Sequence, residues 1–303
     1  MTAPTEAMAP DLSAAAGPDP GATASRPRQW APSPLLITGL VIVGVVVIVG
    51  VCGNLLTPYD PHVVSGGALQ SPSVHHWLGT NSPGQDIFSQ LVYGTRASLV
   101  AALLGGSLAM VGAILFGVVP TLRRGLADSA FNRATIFLLA LPSLPLLVAV
   151  GALAGGNQLI PILVIALVGV APNARILRSQ ALALRDRGFI GAARGFGGGP
   201  IYVLRRHVVP AMGPLVVIGF VNWAGIAVAL QAALAFLGLG NASAVSWGAM
   251  MNRALSQQGI YLSPMWTWWV LPPGFAITVT LLGFTFIGVG LEPAFNPRWR
   301  RSS

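Results

Sequence analysis

Six apolar stretches, parted by short polar ones, leave this chain few ways to fold. The first, LLITGLVIVGVVVIVGVCG from Leu35 to Gly53, runs 19 residues without a charge. At ~1.5 Å of rise per residue, such a helix nearly matches a ~30 Å hydrocarbon core. The others lie at about 97–122, 133–154, 158–177, 211–239 and 266–291. Only 8% of residues are charged and 54% are hydrophobic, whereas a soluble domain carries charge on about a quarter of its residues. A surface so poor in charge suits lipid. The expectation is an all-α, polytopic membrane protein with six transmembrane helices. Gly and Pro recur inside these runs, which bilayer helices tolerate when neighbouring helices re-satisfy the backbone.

Residues 1–34 read as a disordered N-terminal tail, rich in Ala, Pro, Ser and Gly. Residues 35–53 form the first span, 54–94 a long polar loop, and 95–303 the body of the protein. Arginine placement orients it. With a cytoplasmic N-terminus, the inside segments are 1–34, 123–132, 178–210 and 292–303. Of the 17 basic residues, 15 fall at or next to these segments, and only Arg96 and Arg253 do not. The positive-inside rule then places both termini in the cytoplasm and 54–94 and 240–265 outside. Trp266, Trp268 and Trp269 would form an aromatic belt at the outer end of the last span.

Several function classes fall away. Every basic residue is arginine, so a P-loop, which needs lysine on the phosphates, is absent, as is Schiff-base chemistry. If ATP is used, another chain must bind it. Cys52 is the single cysteine and reads as a small buried apolar residue. His62, His75 and His76 suit a metal such as nickel by side-chain chemistry, but no further ligand completes a set, and surface or packing roles are expected. The arginines track one membrane face rather than one groove, so nucleic acid is not the expected partner. No Asp, Glu or Arg is expected deep in a span, which argues against an ion-coupled carrier.

The most informative stretch is polar and lies at 178–210, between the fourth and fifth spans. LRSQALALRDRGFIGAARGF is dense in helix formers. Gly197-Gly198-Gly199-Pro200 then supplies a turn and a helix start. IYVLRRHVV resumes in helical style and Pro210 ends it. The expectation is a cytoplasmic helix–turn–helix beside the membrane. Asp128 and Arg133, before the third span, read either as a solvated charge pair or as a contact that sets an inner gate. Arg175 and Arg178 are further inner-face candidates.

Here the chain resembles the permeases of binding-protein-dependent ABC importers. Their coupling-loop pattern is Glu-Ala-Ala, three residues, Gly, nine residues, Ile, any residue, Leu, Pro. Ala192-Ala193, Gly197 and Pro210 stand at that spacing, with Gly191, His207 and Val209 at the Glu, Ile and Leu positions. HHWLGTNSPGQDIFSQLVYGTRASL (75–99), LALPSLPLL (139–147), LAFLGLG (234–240), SWGAMM (246–251) and the segment from Pro272 to Arg298 follow in the order seen in C-type permeases of dipeptide, oligopeptide and nickel importers. The pattern has Asp, Arg and Arg where this chain has Asn81, Gln85 and Gln90, and Asp where it has Gly188. The Pro-Pro before SWG is also missing.

The resemblance implies the type I importer permease fold in a cell membrane, and no enzyme activity on this chain. It implies a second, related permease, two ATP-binding subunits and an external solute-binding protein. ATP and Mg would sit on the partner subunits, so this chain needs no cofactor. Gly191, Ala192, Ala193, Arg194, Gly197, Arg205, Arg206, His207 and Pro210, within the 187–210 loop, would dock in an ATPase groove. ATP-driven closure would move the loop and rock the flanking spans between inward-open and outward-open states. Di- or oligopeptides are the expected cargo, with nickel or another small solute as the alternative. Substrate-binding residues are not legible. A self-contained homo-oligomeric channel is the rival from another class.

Overall fold

The computed structural model describes residues 33–122, 125–239 and 244–295. The tail up to residue 32 lies outside them, as do Arg123, Arg124, Arg298, Arg300 and Arg301. Among the described residues the protein is helical, with no strand and one isolated bridge between Thr80 and Asp86.

Helix α1 spans Pro34–Leu56. Ser33 caps it by accepting from the Leu36 amide at 3.2 Å, and Pro34 occupies the first turn, where no amide is needed. Helix α2 spans Ile87–Thr121, with π turns at Ala101–Gly105 and Ile114–Val118. It starts ten residues before the apolar run at 97 because Asp86 caps it. One carboxylate oxygen accepts from both the amide and the hydroxyl of Ser89, each at 2.7 Å. The long loop is therefore 57–86 rather than 54–94. Arg96 falls inside the helical run, as its tenth residue.

The third apolar stretch is not one straight span. Helices α3, Leu126–Ala140, and α4, Ser143–Leu153, meet at an 81° bend. Leu141 is extended at φ −71° and ψ 129°, as the residue before Pro142 is biased to be. Among the described residues five helices are long and apolar enough to cross a membrane, or six if α3 and α4 form one span.

Helix α5 spans Leu159–Arg185 and the short helix α6 Gly188–Gly195. Helix α7 then runs without interruption over Pro200–Phe236. Pro210 does not end a short helix, as the sequence suggested. A wider π turn at Leu204–Val208 comes just before it, and the helix continues through the proline. Helix α8 spans Trp247–Leu255, α9 Met265–Trp269 and α10 Leu271–Phe295. Trp269 is 2% exposed and packs with Ile87, Trp247 and Met250. It belongs to the core rather than to an aromatic belt, because the break before α10 turns it inward.

Helices α1 and α10 pack face to face through glycine. A methyl group at Gly39 would lie 2.7 Å from the Ile287 amide nitrogen and 2.8 Å from the Gly283 carbonyl oxygen. Small residues let backbones approach this closely, which is how helices associate where lipid tails are as apolar as leucine. Elsewhere on α1, Val41, Ile48 and Val51 are exposed, as a lipid-facing surface requires.

The 57–86 loop is held by neutral amides. Asn81 Nδ2 donates to Gln85 Oε1 at 2.9 Å, and Gln90 Nε2 donates to Gln85 Oε1 at 2.8 Å and to the Pro61 carbonyl at 3.0 Å. Beside them His76 Nδ1 and Asp86 Oδ1 lie 3.0 Å apart, both buried.

The α1–α10 contact predicts that Gly283→Leu costs about 1–3 kcal/mol through overpacking. Gly44 faces open space, so Gly44→Ala should match or slightly exceed the parent protein. Thermal unfolding of the detergent-purified chain checks both.

Candidate functional site

The ends of α5 and α7 meet at the 186–199 connection. Arg187 is extended at φ −75° and ψ 140° and starts α6. On α6 only Ile190 points wholly inward, with 0% exposure, and Val203 at the start of α7 matches it. Both join a core cluster with Val118 of α2, Leu177 and Ala181 of α5, and Met212 of α7. The connection is thus bolted to three long helices by two aliphatic side chains.

The turn after α6 is a Schellman motif. The Gly198 amide donates to the Ala193 carbonyl at 2.9 Å and the Gly197 amide to the Arg194 carbonyl at 3.0 Å. Gly197 adopts φ +86°, a left-handed geometry that L side chains resist. Space is not the constraint, since a methyl group there would meet no atom within 4 Å.

Of the residues expected here, Gly191, Ala192, Arg194, Arg205, Arg206 and Pro210 are exposed, and Ala193 is half-buried. His207 is half-buried between Tyr202, ring centroids 5.6 Å apart, and Phe189, at 6.2 Å. It packs as an aromatic. The sequence reading missed the apolar members. Phe196 is 93% exposed, and Ile201 and Tyr202 stand out beside it. A groove of about 540 Å³ runs between Phe189, Phe196 and Tyr202 across the glycines. Aromatics flanking a glycine turn were the available signal. Large apolar groups exposed next to arginines mark an interaction surface, for protein or for lipid.

Asp128 does not pair with Arg133. Five residues apart on a helix, the two point away from each other. Asp128 instead takes a two-pronged contact from Arg178 on α5, with Nη2 to Oδ2 at 2.9 Å and Nη1 to Oδ1 as the second prong. The pair clamps the start of α3 to α5. Arg133 and Arg175 are exposed.

A second region lies at the other end of the bundle. Helices α2 and α5 begin there and α7 ends there, roughly 40 Å from the connection by the 27-residue length of α5. A cavity of about 640 Å³ opens between them and α8. Its walls include Arg96, Arg253, Gln158, Gln231, Tyr93 and His62. Arg96 Nε donates to the Gly50 carbonyl at 3.0 Å, and its guanidinium lies 5.5 Å from the Tyr93 ring centroid. Arg253 Nη2 donates to the Ala244 carbonyl at 2.6 Å. Burial pushes the Arg253 guanidinium below its ordinary value. Gln231 Oε1 is buried without a hydrogen-bond partner among the described residues. Among those residues no three His, Cys, Asp or Glu side chains gather as a metal site would require.

Residues 87–301 match the family described as binding-protein-dependent transport system inner membrane component. The chain is similar to the dipeptide transport system permease protein DppC of Alkalihalophilus pseudofirmus, 35% identical over 280 residues, 90% of this chain and 89% of that protein. It is 32% identical over 270 residues to the probable D,D-dipeptide transport system permease protein DdpC of Escherichia coli, 88% of each chain. To the glutathione transport system permease protein GsiD of Pectobacterium atrosepticum it is 33% identical over 230 residues, 76% of this chain and 75% of that one.

The α3–α5 clamp predicts that Asp128→Asn destabilises the protein by about 1–2 kcal/mol, since a charge-assisted contact is lost at a partly screened site. Arg133→Gln should leave the melting midpoint within error. Thermal unfolding of both variants in one detergent decides it.

Proposed function

The chain belongs to the family of binding-protein-dependent transport inner membrane components, and from that premise we propose that it is one permease of an ATP-driven importer of short peptides. The observation that carries the reading is the bolted turn. A docking element that transmits force must be rigid in itself and rigidly joined to the helices it moves. Ile190 and Val203 supply the joint, and the Schellman bonds supply the rigidity.

In this reading Phe196, Tyr202 and the Gly197 turn enter a groove on an ATP-binding subunit, with Arg194, Arg205 and Arg206 meeting acidic groups at its rim. Two such subunits close on ATP, and the chemistry of ATP and Mg stays on them. Closure shifts the turn, α5 and α7 follow as rigid bodies, and the path between this permease and its partner permease alternates its opening. The arginine distribution supports a cytoplasmic position for the turn and for both termini. The 57–86 loop and the segment around α8 then face the external binding protein that delivers cargo. The relatives' names support peptides as that cargo.

Native co-purification with mass spectrometry tests the assembly. Recovery of two ATP-binding subunits, a second permease and a solute-binding protein is the expected result. Recovery of the chain alone, or only with copies of itself, would favour a self-contained channel. At the turn, Gly197→Ile adds a β-branched side chain at φ +86°, at a cost of about 1–2 kcal/mol. Dipeptide uptake should fall about tenfold or more with membrane insertion intact. Gly197→Asn, which tolerates that geometry, should retain most uptake.

A further inference from the structure

The two arginines that break the orientation pattern, Arg96 and Arg253, line one and the same cavity. They come from different elements, α2 and α8, 157 positions apart in the chain. Topology alone explains the other 15; it does not explain these.

Neither has an acidic partner among the described residues. At this end of the bundle the carboxylates are Asp60 and Asp86. Both Asp86 oxygens are engaged, one with His76 and the other with Ser89, and Asp60 accepts from the His62 amide. The neighbouring 240–243 segment, Gly-Asn-Ala-Ser, carries no acid. Among the described residues, then, two guanidinium groups face one concavity with backbone carbonyls and, for Arg96, the Tyr93 ring as their partners. Both are half-buried, and two like charges brought to one concavity repel unless something of opposite charge joins them, so such a pair marks a candidate anion site. Among the described residues each arginine spends a single nitrogen on a carbonyl, which leaves the rest of each planar fork to meet an anion. Gln231 lines the same wall, and its buried oxygen lacks a partner among the described residues, so the amide gains a bond by turning toward an N–H of the same ligand. The volume, about 640 Å³, lies in the range that holds a small ligand.

We propose that this cavity is a cargo site on the translocation path, in which Arg96 and Arg253 hold the terminal carboxylate of a short peptide and Gln231 accepts from a peptide N–H. The inference rests on the importer reading above and adds a place and a polarity to it. Cargo would enter carboxylate first into the end of the path away from the Gly197 turn. A free carboxylate, rather than side-chain identity, would be what this permease selects.

The test uses the purified importer complex, without its binding protein, in phosphatidylcholine nanodiscs. The probes are trialanine and its C-terminal amide, and the readout is the melting midpoint. Trialanine should raise the midpoint and the amide should not. Arg96→Gln and Arg253→Gln should each weaken the response by roughly tenfold in concentration, as loss of a charge-assisted hydrogen bond predicts, and Arg→Lys should restore part of it. Equal responses to both probes, no response to either, or an unchanged response in the glutamine variants would overturn the site. So would a midpoint raised by phosphatidylglycerol alone, which would assign the arginines to lipid headgroups.

Uptake by whole cells separates this site from the importer reading. Unimpaired dipeptide uptake by the Arg96→Gln, Arg253→Gln double variant would overturn the site and leave the importer standing. An arginine-dependent trialanine response in a complex that imports no peptide would keep the site and remove the peptide cargo. Lost uptake with lost capture of the binding protein, but an unchanged trialanine response in the variants, would make the arginines a docking surface and overturn the proposal.

Discussion

A backbone amide in hydrocarbon has no water to turn to, and leaving one unpaired costs several kcal/mol. That constraint governs where this chain is allowed to bend. Its long helices run from end to end, and α7 passes through a wider turn at Leu204–Val208 just before Pro210. Irregular backbone is pushed to the helix ends, and there it satisfies itself. The 196–199 turn closes with its own Schellman bonds, and the start of α2 closes on Asp86. Polar chemistry gathers where the backbone is free to be irregular, so both candidate regions lie at the ends of the bundle.

The same helices join those regions. Helix α5 carries Leu177 and Ala181 against the bolted turn and Pro161 and Ile162 against the arginine cavity. Helix α7 carries Val203 at one end and Leu234 at the other. A rigid tilt of this pair against α2 alters both ends at once, without a relay of side chains between them. The Asp128–Arg178 clamp ties the start of the bent α3 to α5 at the turn end.

Apolar run length was a sound guide wherever burial and composition agree, as along α1, α5 and α7. It failed at α2, whose first ten residues, IFSQLVYGTR, look too polar for a bundle. Ser89 and Gln90 there are buried against partners supplied by Asp86, Tyr59 and Pro61, and no local pattern announces such partners. The turn at Gly197 was readable because a left-handed residue between helices is nearly always glycine. The Asp128 partner was not, because Arg178 lies 50 positions away and helix geometry only rules out the near neighbour. The arginine cavity left a trace of another kind, two cations that the orientation rule could not place.

The amide knot of Asn81, Gln85 and Gln90 carries a consequence for the conditions the protein tolerates. All three positions carry neutral amides, so no orphan charge is stranded among buried neighbours there. An ion pair in a loop weakens as salt shortens the screening length and fails when acid neutralises its carboxylate. Hydrogen bonds between amides carry no formal charge to screen or titrate. These amide contacts therefore hold in brine and in mild acid, where a charged counterpart would weaken.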